Sequence, residues 1–459
     1  MEITQLYTKC LAQGAYLIES NGEAAIIDPL RESQPYLDLL DEKKLSLKFI
    51  FETHFHADFV SGHVTLSKKT GAPIVYGPEA KPSFQSNIAY DGQTFQIGEV
   101  QLKVLHTPGH TLESSTYLLL DQHQQEIAIF TGDTLFLGDV GRPDLAQKAA
   151  DMTQEDLAGM LYDSLRQKIM PLPDHIVVYP GHGAGSACGK NMMDETHDTL
   201  GNQKQVNYAL RANMSKRQFI KEVTDGLLPP PGYFPLNVAL NKNGYSDINE
   251  ILIKSRKPLS VKEFEQIGRQ EGAVILDVRN KEEFVKSHIP QSIFIGLDGS
   301  FAPWVGSVLV DIQTPLLLVA QENQIEEAII RLARVGFDNV LGYLSGGINE
   351  WSKGRELARI NLISPNEIAE DATILDVRKK TEYQLNHLEG SKNIPLSNLV
   401  QQQKQLHKTG KYQIHCATGY RSVIACSILQ KFGFQNINNI EGGFEGILQN
   451  ATHMFNKAN

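Results

Sequence analysis

Ala273-Val-Ile-Leu-Asp-Val-Arg279 returns as Ala372-Thr-Ile-Leu-Asp-Val-Arg378, and this repetition decides how the chain is organised. The landmarks that follow keep the same order in both places. Glu283-Phe284 matches Glu382-Tyr383, and Ser287-His-Ile289 matches Asn386-His-Leu388. Leu332-Ala-Arg-Val-Gly-Phe337 matches Leu429-Gln-Lys-Phe-Gly-Phe434, and Ser345-Gly-Gly347 matches Glu441-Gly-Gly443. The offset shortens slightly toward the end, as loop deletions between copies of one domain produce. Two tandem domains are therefore predicted, 246–357 and 358–459. Within them, apolar runs such as 273–278 and 315–320 read as buried parallel strands. The patterns at 325–335 and 422–432 read as helices between strands. That alternation predicts a doubly wound α/β sheet with functional loops at the carboxyl ends of its strands.

Residues 1–245 read differently. Strands expected at 24–27, 49–52, 101–106, 127–130 and 176–178 each lead into a loop rich in His, Asp and Gly. A charged helical stretch is expected from 194 to 224. Pro229-Pro-Pro-Gly232 interrupts regular structure, and the linker to the repeats is expected between Tyr245 and Ser260. The 459-residue chain is 41% hydrophobic and 21% charged, ordinary globular usage that excludes wholesale disorder. Its net charge of −10 makes nucleic acid a poor partner. No apolar run is long enough to span a bilayer, so no membrane partner is expected. Met1-Glu-Ile-Thr-Gln5 lacks the pattern of a secretion signal. Cys10, Cys188, Cys416 and Cys426 have no CxxC spacing, which predicts reduced thiols in a cytoplasm.

Four loops carry candidate metal chemistry: Thr53-His-Phe-His-Ala-Asp-Phe59, Thr107-Pro-Gly-His110, Thr131-Gly-Asp133 and Tyr179-Pro-Gly-His182. A lone HxH is a weak signal. A series of His and Asp residues, each after a strand and usually after a Gly or Pro, can aim imidazoles and carboxylates at one point. The series HxHxD, GxH, TGD and GH resembles the metallo-β-lactamase superfamily, which implies an αβ/βα sandwich with metal at the edge of two sheets. The segment Thr131–Asp144, with its Gly141-Arg-Pro-Asp144, resembles the persulfide dioxygenase branch. That resemblance implies metal ligands His54, His110 and Asp133 holding one non-haem Fe(II), with Zn as an alternative occupant. Two imidazoles and a carboxylate match a facial triad with three open positions. Dizinc relatives usually read HxHxDH; here the last position is Phe59, which has no lone pair for a second metal. His56, Asp58 and His182 either orient the ligands and hold water or are remnants of a two-metal ancestor. Arg142 either neutralises a substrate anion or is a structural partner of Asp139 or Asp144. Cys188, in a Gly-rich segment, either faces the metal cleft or is a small buried thiol.

The second repeat carries His415-Cys-Ala-Thr-Gly-Tyr-Arg-Ser422 between an expected strand and a helix. Amide N–H groups at such a turn stabilise a thiolate or a persulfide. The CxxGxRS pattern, with Leu375-Asp-Val-Arg378 before it and Glu441-Gly-Gly443 after it, resembles the rhodanese active-site loop. By that resemblance Cys416 is the nucleophile and Arg421 adds positive charge. Ala417, Thr418, Gly419, Tyr420 and Ser422 form the persulfide-cradling loop. The first repeat reads Leu318-Val-Ala-Gln-Glu-Asn-Gln324 at the equivalent place and has no cysteine, so it is a rhodanese-like domain without a nucleophile, a spacer or a docking surface. Cys10 and Cys426 read as packing. The whole resembles persulfide dioxygenase–sulfurtransferase fusions of sulfide detoxification, whose partners are a low-molecular-weight persulfide, O₂ and sulfite. The alternatives are a glyoxalase II-like dizinc thioester hydrolase and a non-catalytic sulfane-sulfur carrier or sensor. A homo-oligomer is left open.

Overall fold

The computed structural model describes residues 1–147 and 151–450, and the backbone of 455–456. The chain forms two compact units, Met1–Ile248 with Ala333–Gly336, and Asn249–Leu332 with Phe337–Asn459. Among the described residues no helix is long and apolar enough to cross a membrane.

The first unit contains two six-stranded sheets. One consists of β1 (Glu2–Thr8), β2 (Gln13–Ser20), β3 (Glu23–Ile27), β4 (Ser46–Glu52), β5 (Ile74–Tyr76) and β6 (Asn87–Ile88), in that order. The other runs from β7 (Thr94–Ile97) through β8 (Val100–His106), β9 (Ser115–Leu120), β10 (Glu126–Gly132) and β11 (Val177–Pro180) to β12 (Asp198–Thr199). Strand periodicity sorts the side chains. On β3, Ala25 and Ile27 join the core between the sheets with Phe51, Phe95, Tyr117 and Phe130. Ala24 and Ile26 face the other way, onto Tyr36 and Leu40 of the helix Gln34–Lys43. The second sheet is backed by Leu161 and Phe219 of the helices Gln154–Ser164 and Lys216–Thr224. The result is an αβ/βα sandwich. Each fully buried Leu or Phe in these layers contributes about 1.5–3 kcal/mol. The parallel pairs β3–β4 and β10–β11 bring the carboxyl ends of β4, β10 and β11, with their loops, to the site.

One expectation needs correction. The region 194–224 is not one helical stretch. Asp198–Thr199 pairs with β11, helix Leu200–Val206 ends at Asn207, and a second helix starts after the cap Ser215. Asn207 takes ψ 119°, which leaves the helical region, and its side chain donates to Phe136 O and Asp139 O. The boundary between the two units, Ile248/Asn249, falls within the expected linker, 245–260. Helix Ile248–Ser255 occupies it, with Ile248 and Ile251 buried three positions apart on one face.

The second unit holds both copies of the repeat, each a parallel sheet. In the first copy, β13 (Pro258–Leu259), β14 (Val274–Asp277), β15 (Ile293–Phe294), β16 (Leu316–Val319) and β17 (Val340–Leu344) take the order 13-17-16-14-15. In the second, β18 (Asn361–Ile363), β19 (Thr373–Asp376), β21 (Lys392–Asn393), β22 (Tyr412–His415) and β23 (Ile437–Ile440) repeat it as 18-23-22-19-21. The short β20 (His387–Leu388) pairs with β24 (Phe455–Asn456) outside that sheet. The repeated Leu-Asp-Val-Arg motif does the same work twice. Asp277 and Asp376 are fully buried, and each binds the arginine two residues on, Arg279 or Arg378, at 2.6 Å. The same arginines donate to Ser287 O and Asn386 O. A buried charge requires its partner, so Asp376→Ala is expected to cost the second copy about 3–5 kcal/mol. Urea unfolding measures this, and a loss below about 1 kcal/mol would contradict it.

Candidate functional site

His54 follows β4, His110 lies in the loop after β8, Asp133 follows β10 and His182 follows β11. The local fold explains why their side chains converge. At β4, the Asp28 carboxylate accepts from Thr53 N at 2.7 Å and Thr53 Oγ1 at 2.8 Å. Thr53 Oγ1 also lies 3.0 Å from His54 Nδ1, which leaves His54 Nε2 directed at the site. Asn241, on the helix Phe234–Asn243, donates to His56 O and Phe59 O at 2.8 Å and accepts from Ser61 N, so it clamps the HxHxD loop. A Cβ at Gly141 would run into Asp133 O and His110 Nδ1, which explains the glycine before Arg142.

His110 Nδ1 lies 2.9 Å from Arg142 O. A carbonyl only accepts, so Nδ1 carries the hydrogen and Nε2 keeps its lone pair. Asp133 Oδ2 lies 3.6 Å from His110 Nε2 and 4.0 Å from His54 Nε2. All three residues are buried, and among the described residues Asp133 Oδ2 has no hydrogen-bond partner. A buried carboxylate oxygen with no donor, facing two imidazole lone pairs, fits a divalent cation. Burial, then the neighbouring His56 charge, holds His54 well below its ordinary pKa, so the ring is a neutral ligand. Burial alone would raise Asp133; the charge and hydrogen bond of His182 outweigh it and hold the carboxylate well below its ordinary pKa.

The second histidine of HxH goes elsewhere. His56 Nε2 lies 3.1 Å from Asp28 Oδ1 and 3.4 Å from Glu52 Oε2, and its ring stacks on Phe59 at 4.4 Å. Burial opposes charge on His56, but Asp28 and Glu52 raise its pKa well above the usual value. Burial raises Glu52 to about 7. His182 joins the two remaining carboxylates, with Nδ1 2.8 Å from Asp133 Oδ1 and Nε2 2.8 Å from Asp58 Oδ2. Cys188 Sγ completes a second cluster with Asp58 and His182, so this buried thiol faces the cleft. Burial, then the charges of Asp58 and Asp133, raises its pKa well above the ordinary value. Arg142 forms a bidentate pair with Asp144 at 2.6 and 2.7 Å and donates to Ala187 O and Leu228 O. Asp139 is fully buried and instead accepts from the amides of Val140, Lys190 and Asn191 and from Tyr208 Oη. A cavity of about 190 Å³ opens beside His110, between apolar Phe55, Leu112 and Val238 and charged Glu79, Lys81 and Lys242.

In the second unit, Cys416 follows β22 and is buried at the start of the turn into helix Tyr420–Lys431. Gly419 N donates to Cys416 Sγ at 3.1 Å. Gly443, at φ +59°, lies against the carbonyls of Cys416 and Ala417, where a Cβ would collide; this accounts for the Glu441-Gly-Gly443 landmark. Arg421 binds Glu382 through two bonds of 2.6 and 2.8 Å and also reaches Cys416. Thr418 is exposed at the loop tip, and Ser422 Oγ donates to Gly419 O. Tyr420 turns out of the loop and donates to Gly296 O of the first copy at 2.7 Å.

Residues 9–182 match the metallo-beta-lactamase superfamily, and residues 260–354 and 364–450 match the rhodanese-like domain. A metallo-beta-lactamase from Staphylococcus aureus is 31% identical with a TM-score of 0.66, over 74% of this chain and 98% of that one. The chain belongs to the metallo-β-lactamase superfamily. A probable hydroxyacylglutathione hydrolase of Schizosaccharomyces pombe is 31% identical over 43% of this chain and 82% of its own. ETHE1 from Myxococcus xanthus is 30% identical over 53% of this chain and 98% of that one, with a TM-score of 0.45. The protein is thus a metallo-β-lactamase-fold domain followed by rhodanese-like domains, with the His/Asp metal-binding site of that fold.

Sequence reasoning missed Asp28, Glu52 and Asn241. Asp28 and Glu52 close their strands, as Asp133 does, which was the available signal. Asn241 had none, since its partners lie about 180 residues away.

Proposed function

We propose that this protein is a non-haem Fe(II) persulfide dioxygenase coupled to a sulfurtransferase, acting in the detoxification of sulfide and persulfide. The first activity converts RSSH, O₂ and water to RSH, sulfite and two protons. In the second, Cys416 takes the outer sulfur of a persulfide to become Cys416–S–SH and releases RSH. The sulfite lone pair then attacks that outer sulfur, the S–S bond breaks, and thiosulfate leaves with Cys416 restored.

The observation that supports the first activity is the division of the histidines. His54 and His110 face the Asp133 carboxylate, while His56 is turned onto Asp28 and Glu52 and covered by Phe59. That leaves two imidazoles and one carboxylate on one face, the donor set of non-haem Fe(II). Iron bound there supplies open positions for a sulfur and O₂ and the electrons that activate oxygen. The chain's own residues do the positioning. Arg142 O fixes the His110 tautomer, and His182 holds the second oxygen of Asp133. The cavity beside His110 offers an apolar wall for a thiol carrier's chain and Lys81 and Lys242 for its carboxylates.

The hydroxyacylglutathione hydrolase relatives, with the Asp58–His182–Cys188 donors as a second metal position, support a dizinc thioester hydrolase instead. Anaerobic loading with Fe(II), followed by oxygen uptake with glutathione, cysteine or coenzyme A persulfide, separates the two. One O₂ consumed per sulfite formed is expected. No uptake by the iron-loaded protein, with thioester hydrolysis by a form holding two zinc ions, would establish the hydrolase. Neither turnover would leave a sulfur carrier.

A further inference from the structure

The first copy of the repeat has no nucleophile, yet it touches the catalytic loop of the second. Tyr420, within that loop, hydrogen-bonds Gly296 O and packs edge-on against Phe294 at 5.9 Å. A Cβ at Gly299 would collide with the Tyr420 ring, so the glycine admits it. Further along the same helix, Ser427 Oγ accepts from Phe294 N at 3.1 Å and Gln430 Oε1 lies 3.0 Å from His288 Nε2. Three points of contact therefore fix the helix that follows Cys416 against the first copy.

This docking carries a charge to the loop. Lys281, at the start of helix Lys281–Lys286 in the first copy, lies over Gly419: a Cβ on that glycine would be 3.6 Å from Lys281 Nζ. Gly419 is the residue whose amide holds Cys416 Sγ. The other cation at the loop, Arg421, is already bound bidentately by Glu382. Among the described residues Lys281 pairs only with Glu282 at 3.5 Å, on a side chain that is 64% exposed, so water screens that partner. Asp298, also of the first copy, lies near Tyr420 and adds negative charge on that side. The ammonium of Lys281 is thus the cation most available to an anion approaching Cys416.

We propose that Lys281 completes the Cys416 site from the neighbouring domain and selects a small oxyanion acceptor, of which sulfite is the example. The inference rests on the sulfurtransferase reading for the identity of the acceptor, but not for the existence of the anion site. It assigns the first copy a role as the part that holds the catalytic loop and supplies its acceptor-binding charge.

The test uses the full chain and two alkylating probes of nearly equal size, anionic iodoacetate and neutral iodoacetamide, with Cys416 modification read by peptide mass. Lys281→Gln is expected to slow iodoacetate about threefold and Lys281→Glu more, while iodoacetamide reacts at the parent rate. Lys281→Arg restores the iodoacetate rate. In thiosulfate formation, Lys281→Gln raises the KM for sulfite about tenfold and leaves kcat within about twofold. An unchanged iodoacetate-to-iodoacetamide ratio in both Lys281→Gln and Lys281→Glu would overturn the proposal. If the ratio falls but the parent chain makes no thiosulfate, the anion site stands and sulfite is the wrong acceptor. The unaltered iodoacetamide rate in each variant reports that the loop is folded.

Discussion

Asp133→Ala is expected to leave the protein with less than about a tenth of the parent's iron and to reduce persulfide-dependent oxygen uptake about a thousandfold or more. The carboxylate serves both sides of the centre. Oδ2 faces the lone pairs of His54 and His110, and Oδ1 accepts from His182 at 2.8 Å. Its removal takes the anionic member out of the His54–His110–Asp133 set, so a divalent cation there loses the charge that offsets its burial. Metal analysis after anaerobic loading, together with an oxygen electrode, makes the measurement. Cys188→Ser is the informative companion, because Cys188 belongs to the neighbouring cluster with Asp58 and His182. If the iron is bound by His54, His110 and Asp133, this variant keeps about one iron per chain. Loss of iron in Cys188→Ser together with full retention in Asp133→Ala would move the metal to the other cluster and refute the assignment.

Cys416→Ser is expected to reduce thiosulfate formation from persulfide and sulfite about a thousandfold or more, with oxygen uptake unchanged. A serine hydroxyl at that position keeps the size of the side chain but cannot take up sulfane sulfur. The loop is shaped for sulfur, with the Gly419 amide directed at Sγ from 3.1 Å and Arg421 beside it. Cys426 cannot substitute. It is fully buried, and burial and the neighbouring Cys416 raise its thiol far above its usual pKa. Mass analysis after a short exposure to persulfide gives a second readout: the parent gains one sulfur on the peptide containing Cys416 and the variant gains none. Equal thiosulfate from parent and variant would show that the transfer does not pass through this residue. The opposite responses of the two variants, one losing oxygen uptake and the other sulfur transfer, would establish two separate centres on one chain.

The candidate metal residues were legible because they lie in loops after strands, and His110, Asp133 and His182 each follow a Gly that turns the chain; short-range rules govern both features. The partition of those residues was not legible. HxH reads the same whether its second imidazole lies with the first or beside a carboxylate pair, and only the tertiary structure places it next to Asp28 and Glu52. Arg142 presents a similar case. Its sequence is equally consistent with binding substrate and with binding Asp144, and the bidentate pair with Asp144 uses its guanidinium. The region 194–224 was misread because charge and helical propensity say nothing of Asn207, whose backbone leaves the helix to bring its amide onto two carbonyls beside Asp139.

The sequence by itself determined the tandem repeat, the α/β class, the positions of the metal-ligating types and the single rhodanese-type cysteine. All of these are periodicities or local motifs that neighbouring residues impose. Tertiary structure alone decided which histidines lie together, that Cys188 lies with Asp58 and His182, and that Tyr420 and Lys281 meet at the Cys416 loop. Those facts depend on donor and acceptor atoms far apart in the chain coming within about 3–4 Å, and no local rule carries that distance.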